Sequence, residues 1–370
     1  MSDITISRGV RSNLLSLQNI ASQRETIQGR LASGKKVNSA LDNPTNFFTA
    51  ASLNSRSNDL GALLDSMSNG IKTLEAADNG LKSITKTVES LQSSIRQARQ
   101  DKSWKGESLT FTQSATAGTI SFLGGSATAT GVTTPIDVTF AANATVDDVV
   151  SAVNSNSSLT GKVRASNDNG KLRIENLSTT ELAVTETSDS LSAGATIGGN
   201  TVRADLIKQF NDLRQQLDRT SEDASYNGIN LLRGDALSIT FNETGSSSLN
   251  IQSKDAKAIN ATNLGIDAQV TSVADSDTAL DGVLTKLSTA LGSLRSQSSS
   301  FGSNLSMVQN RQDFTKSMMN TLRGGADNLT LADQNEEGAN LLALNTRAQL
   351  ATSALSFASQ GDQQVLQFLR

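Results

Sequence analysis

Apolar residues recur at alternating steps of three and four through long proline-free stretches at both ends of this chain. Val10, Leu14, Leu17 and Ala21 share one register, Leu31 lies three further steps on, and Ile20 and Ile27 flank the row. Leu341, Leu344, Ala348, Ala351, Leu355, Ala358, Val365 and Leu369 keep the same spacing, broken only by Asp362. That period draws a narrow apolar stripe along a helix, the pattern of one helix packed on another. Two further stripes lie between the ends. Leu60, Leu64, Met67, Ile71, Leu74, Leu81, Val88 and Ile95 form one, interrupted at Asp78, Thr85 and Gln92. Polar positions of this kind weaken a seam and fix its register. Leu284, Leu287, Leu291, Leu294, Phe301, Leu305, Val308, Met319, Leu322, Ala326 and Leu329 form the other, in a helix expected from about 275 to 329. The chain has two prolines, Pro44 and Pro135, so none of these helices contains an interior breaker.

Helix ends are also legible. Gly34 suits a C-cap, with Lys35 and Lys36 beside the negative end of the dipole. Asn43 before Pro44 reads as a cap followed by a first-turn proline. From about 105 to 200 the composition shifts to Ser, Thr, Gly and Ala, with short alternating runs at 109–111, 120–122 and 136–140. The runs VRAS and KLRIEN flank Asn169-Gly170, a strong hairpin turn signal. TVDDVVSAVNSN predicts one short helix capped by Thr145 with an acidic first turn. GGSATATG (124–131) reads as a loop. Helix resumes over 201–222, with Leu206, Phe210, Leu213 and Leu217 on one face, and a hairpin is expected over 236–254, turning at 244–247. The fold class is mainly α: long helices from both chain ends, a small inserted α+β domain and a β-hairpin.

Composition excludes several kinds of activity. There is no His and no Cys, which removes the usual general base, the usual nucleophile pairs and thiolate or imidazole metal sites. The carboxylates are scattered, and those of NEEGAN (335–340) sit where they stabilise a helix start. No cofactor is expected and the chain reads as a non-enzyme. Asp and Glu total 36 against 32 Lys and Arg, for a net charge of −4, without a basic block interleaved with aromatics; nucleic acid is not an expected partner. No apolar run approaches the roughly 18 residues of a membrane span, so membrane insertion is not expected. The first residues lack the basic and apolar regions of a secretory signal. Only 4% of residues are aromatic, with one Trp (Trp104) and one Tyr (Tyr226), which argues against one large core.

The terminal helices, about 45 Å long if some 30 residues each, carry apolar residues off their stripes as well. These are Leu15, Ile20, Leu342, Leu350, Phe357, Leu366 and Phe368. One pair of stripes does not shelter them, so further copies of the chain are the expected partners.

SLQNIASQRETIQGRLASGKKVNSALDNPTNFF near the start and DQNEEGANLLALNTRAQLATSALSFASQGDQQVLQFLR at the end resemble the terminal regions of bacterial flagellins, as do SYNGINLL and FGSNLSMVQNRQDF. The wording is most similar to flagellins of the alphaproteobacteria. The resemblance implies that the two ends pair as an antiparallel coiled coil lining a filament. It divides the chain into an inner-core helix (1–44), the first part of an outer helical layer (45–104), a surface insert (105–200), the second part of that layer with the hairpin (201–330), and a second inner-core helix (331–370). Val10, Leu14, Leu17, Leu31, Leu341, Leu344, Leu355, Val365, Leu369 and Arg370 are the residues expected to form the assembly core. The resemblance further implies a secreted, extracellular filament exported through a type III apparatus without signal cleavage. An export chaperone, a cap protein and hook-associated proteins are the implied partners besides the chain itself. In many flagellins the segment matching LQSSIRQARQ (91–100) meets an innate immune receptor through a pattern resembling LQRVRELAVQ. Leu91 is kept here, whereas Ser93 and Ile95 replace arginines and Gln97 replaces a leucine. Poor receptor recognition is therefore expected. Two other readings stand beside the filament subunit: a hook–filament junction protein, and an adhesin acting through the insert.

Overall fold

The structure is a computed structural model that describes residues 8–124, 135–186, 191 and 194–368. Most of the 124–131 loop, Leu369 and Arg370 lie outside the described residues, as do the side chains of Asp362, Val365, Leu366 and Phe368. The described helices are α1 (Arg8–Ser33), α2 (Pro44–Gln100), α3 (Val146–Ser155), α4 (Thr201–Asp223), α5 (Asp277–Thr330) and α6 (Gln334–Phe368). The strands are β1 (Lys105–Thr110), β2 (Gly118–Gly124), β3 (Ile136–Phe140), β4 (Val163–Asp168), β5 (Lys171–Asn176), β6 (Leu182–Glu186), β7 (Ala195–Ile197), β8 (Leu237–Thr240) and β9 (Ser248–Ile251). None of the described helices is long and apolar enough to cross a membrane.

The chain folds as two compact units. The first takes in the chain up to Ser68, Thr240–Ser248 and the chain from Asn310 onward. In it α1 packs along α6. Gly34 ends α1 in the left-handed conformation (φ 70°) that the absence of a Cβ allows. The chain beyond it is pinned by Lys36 N–H to the Thr330 carbonyl at 2.8 Å and by Ala332 N–H to the Gly34 carbonyl at 3.0 Å. Asn43 caps α2 through its side-chain oxygen, which accepts from Asn46 N–H at 3.0 Å. In the same unit Arg56 pairs with Glu243 at 2.8 Å, and the Arg311 guanidinium stands 5.5 Å from the Phe241 ring centre.

The second unit comprises 69–239 and 249–309. Its helical part buries Met67's successors on α2, Ile71, Leu74, Ala77, Leu81, Ile84, Val88, Leu91, Ile95 and Ala98, and Leu280, Val283, Leu287, Leu291, Leu294 and Phe301 on α5. The α5 stripe thus enters through Leu280 and Val283, with Leu284 half-buried beside it. On α4 the buried row is Arg203, Ile207, Phe210 and Leu217, so Ile207 rather than Leu206 faces inward. Adjacent apolar residues lie only about 100° apart on a helix, and the direction of the partner decides between them. Backbone approaches are close along α2: a Cβ at Gly70 would stand 2.4 Å from Ile239 Cδ1, and one at Gly80 would stand 2.6 Å from Leu232 Cδ1.

The β-rich part lies in this unit. β1, β5 and β4 form an antiparallel sheet, and β3, β2, β6 and β7 form a second. The inward residues of both, among them Ile120, Phe122, Leu172, Ile174, Leu182 and Val184, share one core with Val149 and Val153 of α3. Asn169 (φ 51°) and Gly170 (φ 86°) turn β4 into β5. Thr145 closes a capping box with Asp148 at the start of α3. Strands β6 and β7 carried no clear sequence signal. The turn between β8 and β9 belongs to the first unit and is made at Asn242, whose side chain accepts from Ser247 N–H at 3.0 Å.

Candidate assembly surface

The α1–α6 pair is antiparallel. Lys35 and Leu331 form an antiparallel bridge at one end, and Arg30 Nη1 meets Glu337 Oε1 at 3.1 Å just beyond it. Along α6 the residues turned toward α1 are Glu337, Leu341, Leu344, Ala348, Ala351, Leu355 and Ala358, of which Leu344 is buried and the apolar others are half-buried. The facing row on α1 is Val10, Leu17, Ile20, Arg24 and Ile27, all half-buried. Leu14 and Leu31 lie outside this row, 42% and 36% exposed, because α1 meets its neighbour on the side of Ile20 and Ile27. Ile20 therefore belongs to the seam and not to the opposite face.

This seam is thin. Among the described residues α1 contains no buried side chain and α6 one buried leucine, worth about 1.5–3 kcal/mol. Helices in proteins are held chiefly by packing of an apolar face. Meanwhile Leu342, Leu350 and Phe357 are 69%, 65% and 72% exposed on the side of α6 turned away from α1, and Leu15 is exposed on α1. Within the seam Arg24 Nε is buried without a hydrogen-bond partner among the described residues. Such a surface carries apolar area and a polar group still to be matched. Among the described residues no group of His, Cys, Asp or Glu is placed to hold a metal.

The segment 91–97 sits on α2. Leu91 and Ile95 are fully buried, whereas Ser93 and Gln97 are exposed and joined by a Gln97 Nε2–Ser93 Oγ hydrogen bond of 3.1 Å. Of the four positions, only Ser93 and Gln97 offer side chains to a partner, and Ile95 acts in the core.

Sequence reasoning missed the polar knot where the β-rich part joins the helices. Arg203 is fully buried. Its guanidinium donates to the carbonyls of Asp101 (2.9 Å), Arg99 (3.2 Å) and Ala274 and to Asp277 Oδ1 (2.8 Å), and it stacks 4.4 Å from the Trp104 ring centre. Asn200 caps α4 and donates to Asp101, and Asp275 accepts from Thr179 N–H at 2.7 Å. Burial pushes the Asp101 and Asp277 carboxyls up, but hydrogen bonds to Asn200 and Ser103 in the first case, and to Lys102 and Arg203 in the second, carry both below the ordinary value. The one available signal was an arginine in the helical register of Ile207 and Phe210.

Comparison with known proteins agrees with this architecture. The description "Bacterial flagellin N-terminal helical region" matches residues 10–123, and "Bacterial flagellin C-terminal helical region" matches 284–369. Flagellin A of Rhizobium meliloti is 24% identical over 402 residues, covering the whole of both chains. Flagellin FljO of Caulobacter vibrioides is 23% identical across the whole of this chain and 99% of its own. Flagellin FljK of the same organism is 28% identical over 46% of this chain and 62% of its own. These matches do not favour the junction-protein or adhesin readings. With both helical ends recognised and relatives matched from end to end, this chain belongs to the bacterial flagellins of the alphaproteobacterial type, structural subunits that polymerise into the flagellar filament driving swimming.

Proposed function

We propose that the filament is held together by the two terminal helices, with Val10, Leu14, Leu17, Leu31, Leu341, Leu344, Leu355, Val365, Leu369 and Arg370 as its assembly core. The observation that carries this reading is the combination of a thin intramolecular seam with exposed Leu342, Leu350 and Phe357 on its far side. Each such residue gains about 1.5–3 kcal/mol when a neighbouring copy covers it. Leu14 and Leu31, outside the intramolecular seam, are free to take the same role. The division into inner-core helices (1–44 and 331–370), an outer helical layer (45–104 and 201–330) and a surface insert (105–200) belongs to this proposal. So do export through the type III apparatus and handling by an export chaperone, a cap protein and hook-associated proteins.

The test is seeded polymerisation of purified protein, followed by sedimentation and electron microscopy. Leu344→Asp places a charge in the seam, and deletion of 356–370 removes its last turns. Both variants are expected to remain soluble and to form no filaments. Filaments of ordinary length from either variant would overturn the assignment of these helices.

A further inference from the structure

Four Asn-Gly pairs occur in the chain: Asn69-Gly70, Asn79-Gly80, Asn169-Gly170 and Asn227-Gly228. An Asn followed by Gly is chemically vulnerable because no side chain shields the next amide nitrogen. That nitrogen loses its proton and attacks the Asn side-chain Cγ. The new N–Cγ bond closes a five-membered imide, the C–NH₂ bond breaks, and ammonia leaves. Water then opens the ring at either carbonyl, giving Asp or the β-linked isoaspartate. No oxidant or enzyme is needed, and in an unfolded chain the four pairs are equivalent.

The fold makes them unequal. Asn69-Gly70 and Asn79-Gly80 lie inside α2, where each glycine N–H is held in the helical ladder and the glycines pack close to Ile239 and Leu232. Asn169-Gly170 turns a hairpin whose strands are paired over six residues on each side, and Gly170 N–H donates to Asn167 Oδ1 at 2.9 Å. Asn227 (φ 49°) and Gly228 (φ 80°) are different. Both are exposed, and their turn is closed only by the pair of hydrogen bonds between Tyr226 and Ile229, at 2.9 and 3.0 Å. Gly228 N–H has no hydrogen-bond partner among the described residues. We propose that Asn227 is the modification site of this chain, the position at which the folded protein spontaneously deamidates first, with water as the co-reactant.

The consequence is local. Conversion replaces a neutral amide by a carboxylate, and the isoaspartyl form adds a methylene to the backbone of a two-residue turn. That turn leads into buried Asn230, whose side chain donates to the Ser221 and Glu222 carbonyls and accepts from Leu232 and Arg233 N–H. The modification therefore loosens the link between the end of α4 and the segment that follows.

The test uses the unmodified full-length chain, warmed in mildly alkaline buffer with and without urea, and mapped by peptide mass spectrometry. In urea the four pairs are expected to convert at similar rates. In the folded protein Asn227 is expected to convert roughly tenfold faster than Asn169, the factor one ordinary hydrogen bond supplies, while Asn69 and Asn79 stay intact. Conversion of Asn169 as fast as Asn227, or none at Asn227 while the urea sample reacts, overturns the proposal. Asn167→Ala frees Gly170 N–H and is expected to bring Asn169 several-fold closer to Asn227; an unchanged rate overturns the assigned cause.

Discussion

Arg203 offers a worked case of what holds the β-rich part to the helices. Arg203→Ala removes a guanidinium that is fully buried and donates to three backbone carbonyls. Each carbonyl left without a partner costs about 1–3 kcal/mol, reduced where water enters the vacated space. The lost pairing with Asp277 adds little, because that carboxylate is 46% exposed. Breaking a buried charge network by removing one member costs about 3–5 kcal/mol in total. With a urea slope of about 2 kcal/mol/M, the unfolding midpoint of this region should fall by roughly 2 M. Trp104 is the sole tryptophan of the chain and stacks on this guanidinium, so its fluorescence reports the transition directly. Arg203→Lys keeps the charge without the planar fork and should recover only part of the loss. A midpoint shift under about 0.5 M for Arg203→Ala would refute the view that this knot fastens the insert.

Three further outcomes follow from the same geometry. Asp101 and Asp277 have depressed folded pKa values, so the stability they contribute is present above their ordinary values and lost as pH falls through the folded ones; the Trp104-reported midpoint should be flat above about pH 5 and decline toward about pH 3. Gly80→Ala forces a Cβ to within 2.7 Å of Ala224 Cβ as well as against Leu232 and should cost about 1–3 kcal/mol in chemical denaturation, whereas Gly292→Ala, with nothing within 4 Å, should stabilise α5 by up to about 1 kcal/mol. Restoring Ser93→Arg and Gln97→Leu together should raise signalling in a receptor-activation assay by at least roughly tenfold, because both positions face solvent; an unchanged signal would show that recognition fails elsewhere.

The sequence exposed some of this fold fully and some of it not at all, and the difference is physical. The α6 stripe from Leu341 to Ala358, the Thr145 capping box and the Asn169-Gly170 turn were legible because each is decided by residues a few positions apart. The choice of Ile207 over Leu206, or Val283 over Leu284, depends on where a distant partner lies, and neighbouring apolar residues carry no mark of it. α1 illustrates the same limit on the assembly surface. Its apolar residues are spread widely enough that a register through Leu14 was as good as one through Ile20, until α6 was in place. Arg203 was hidden more deeply, because its partners are backbone carbonyls brought together from about 70 to 100 residues away. Backbone carbonyls have no sequence signature.

The central claim is that the terminal helices are completed by other copies of the chain. Electron cryomicroscopy of filaments grown from this protein tests it most directly. The account predicts that Leu15, Leu342, Leu350 and Phe357, exposed in the single chain, are covered by neighbouring subunits and that α1 and α6 remain paired. Filaments in which these four side chains still face water, or in which subunits meet only through other surfaces, would contradict it.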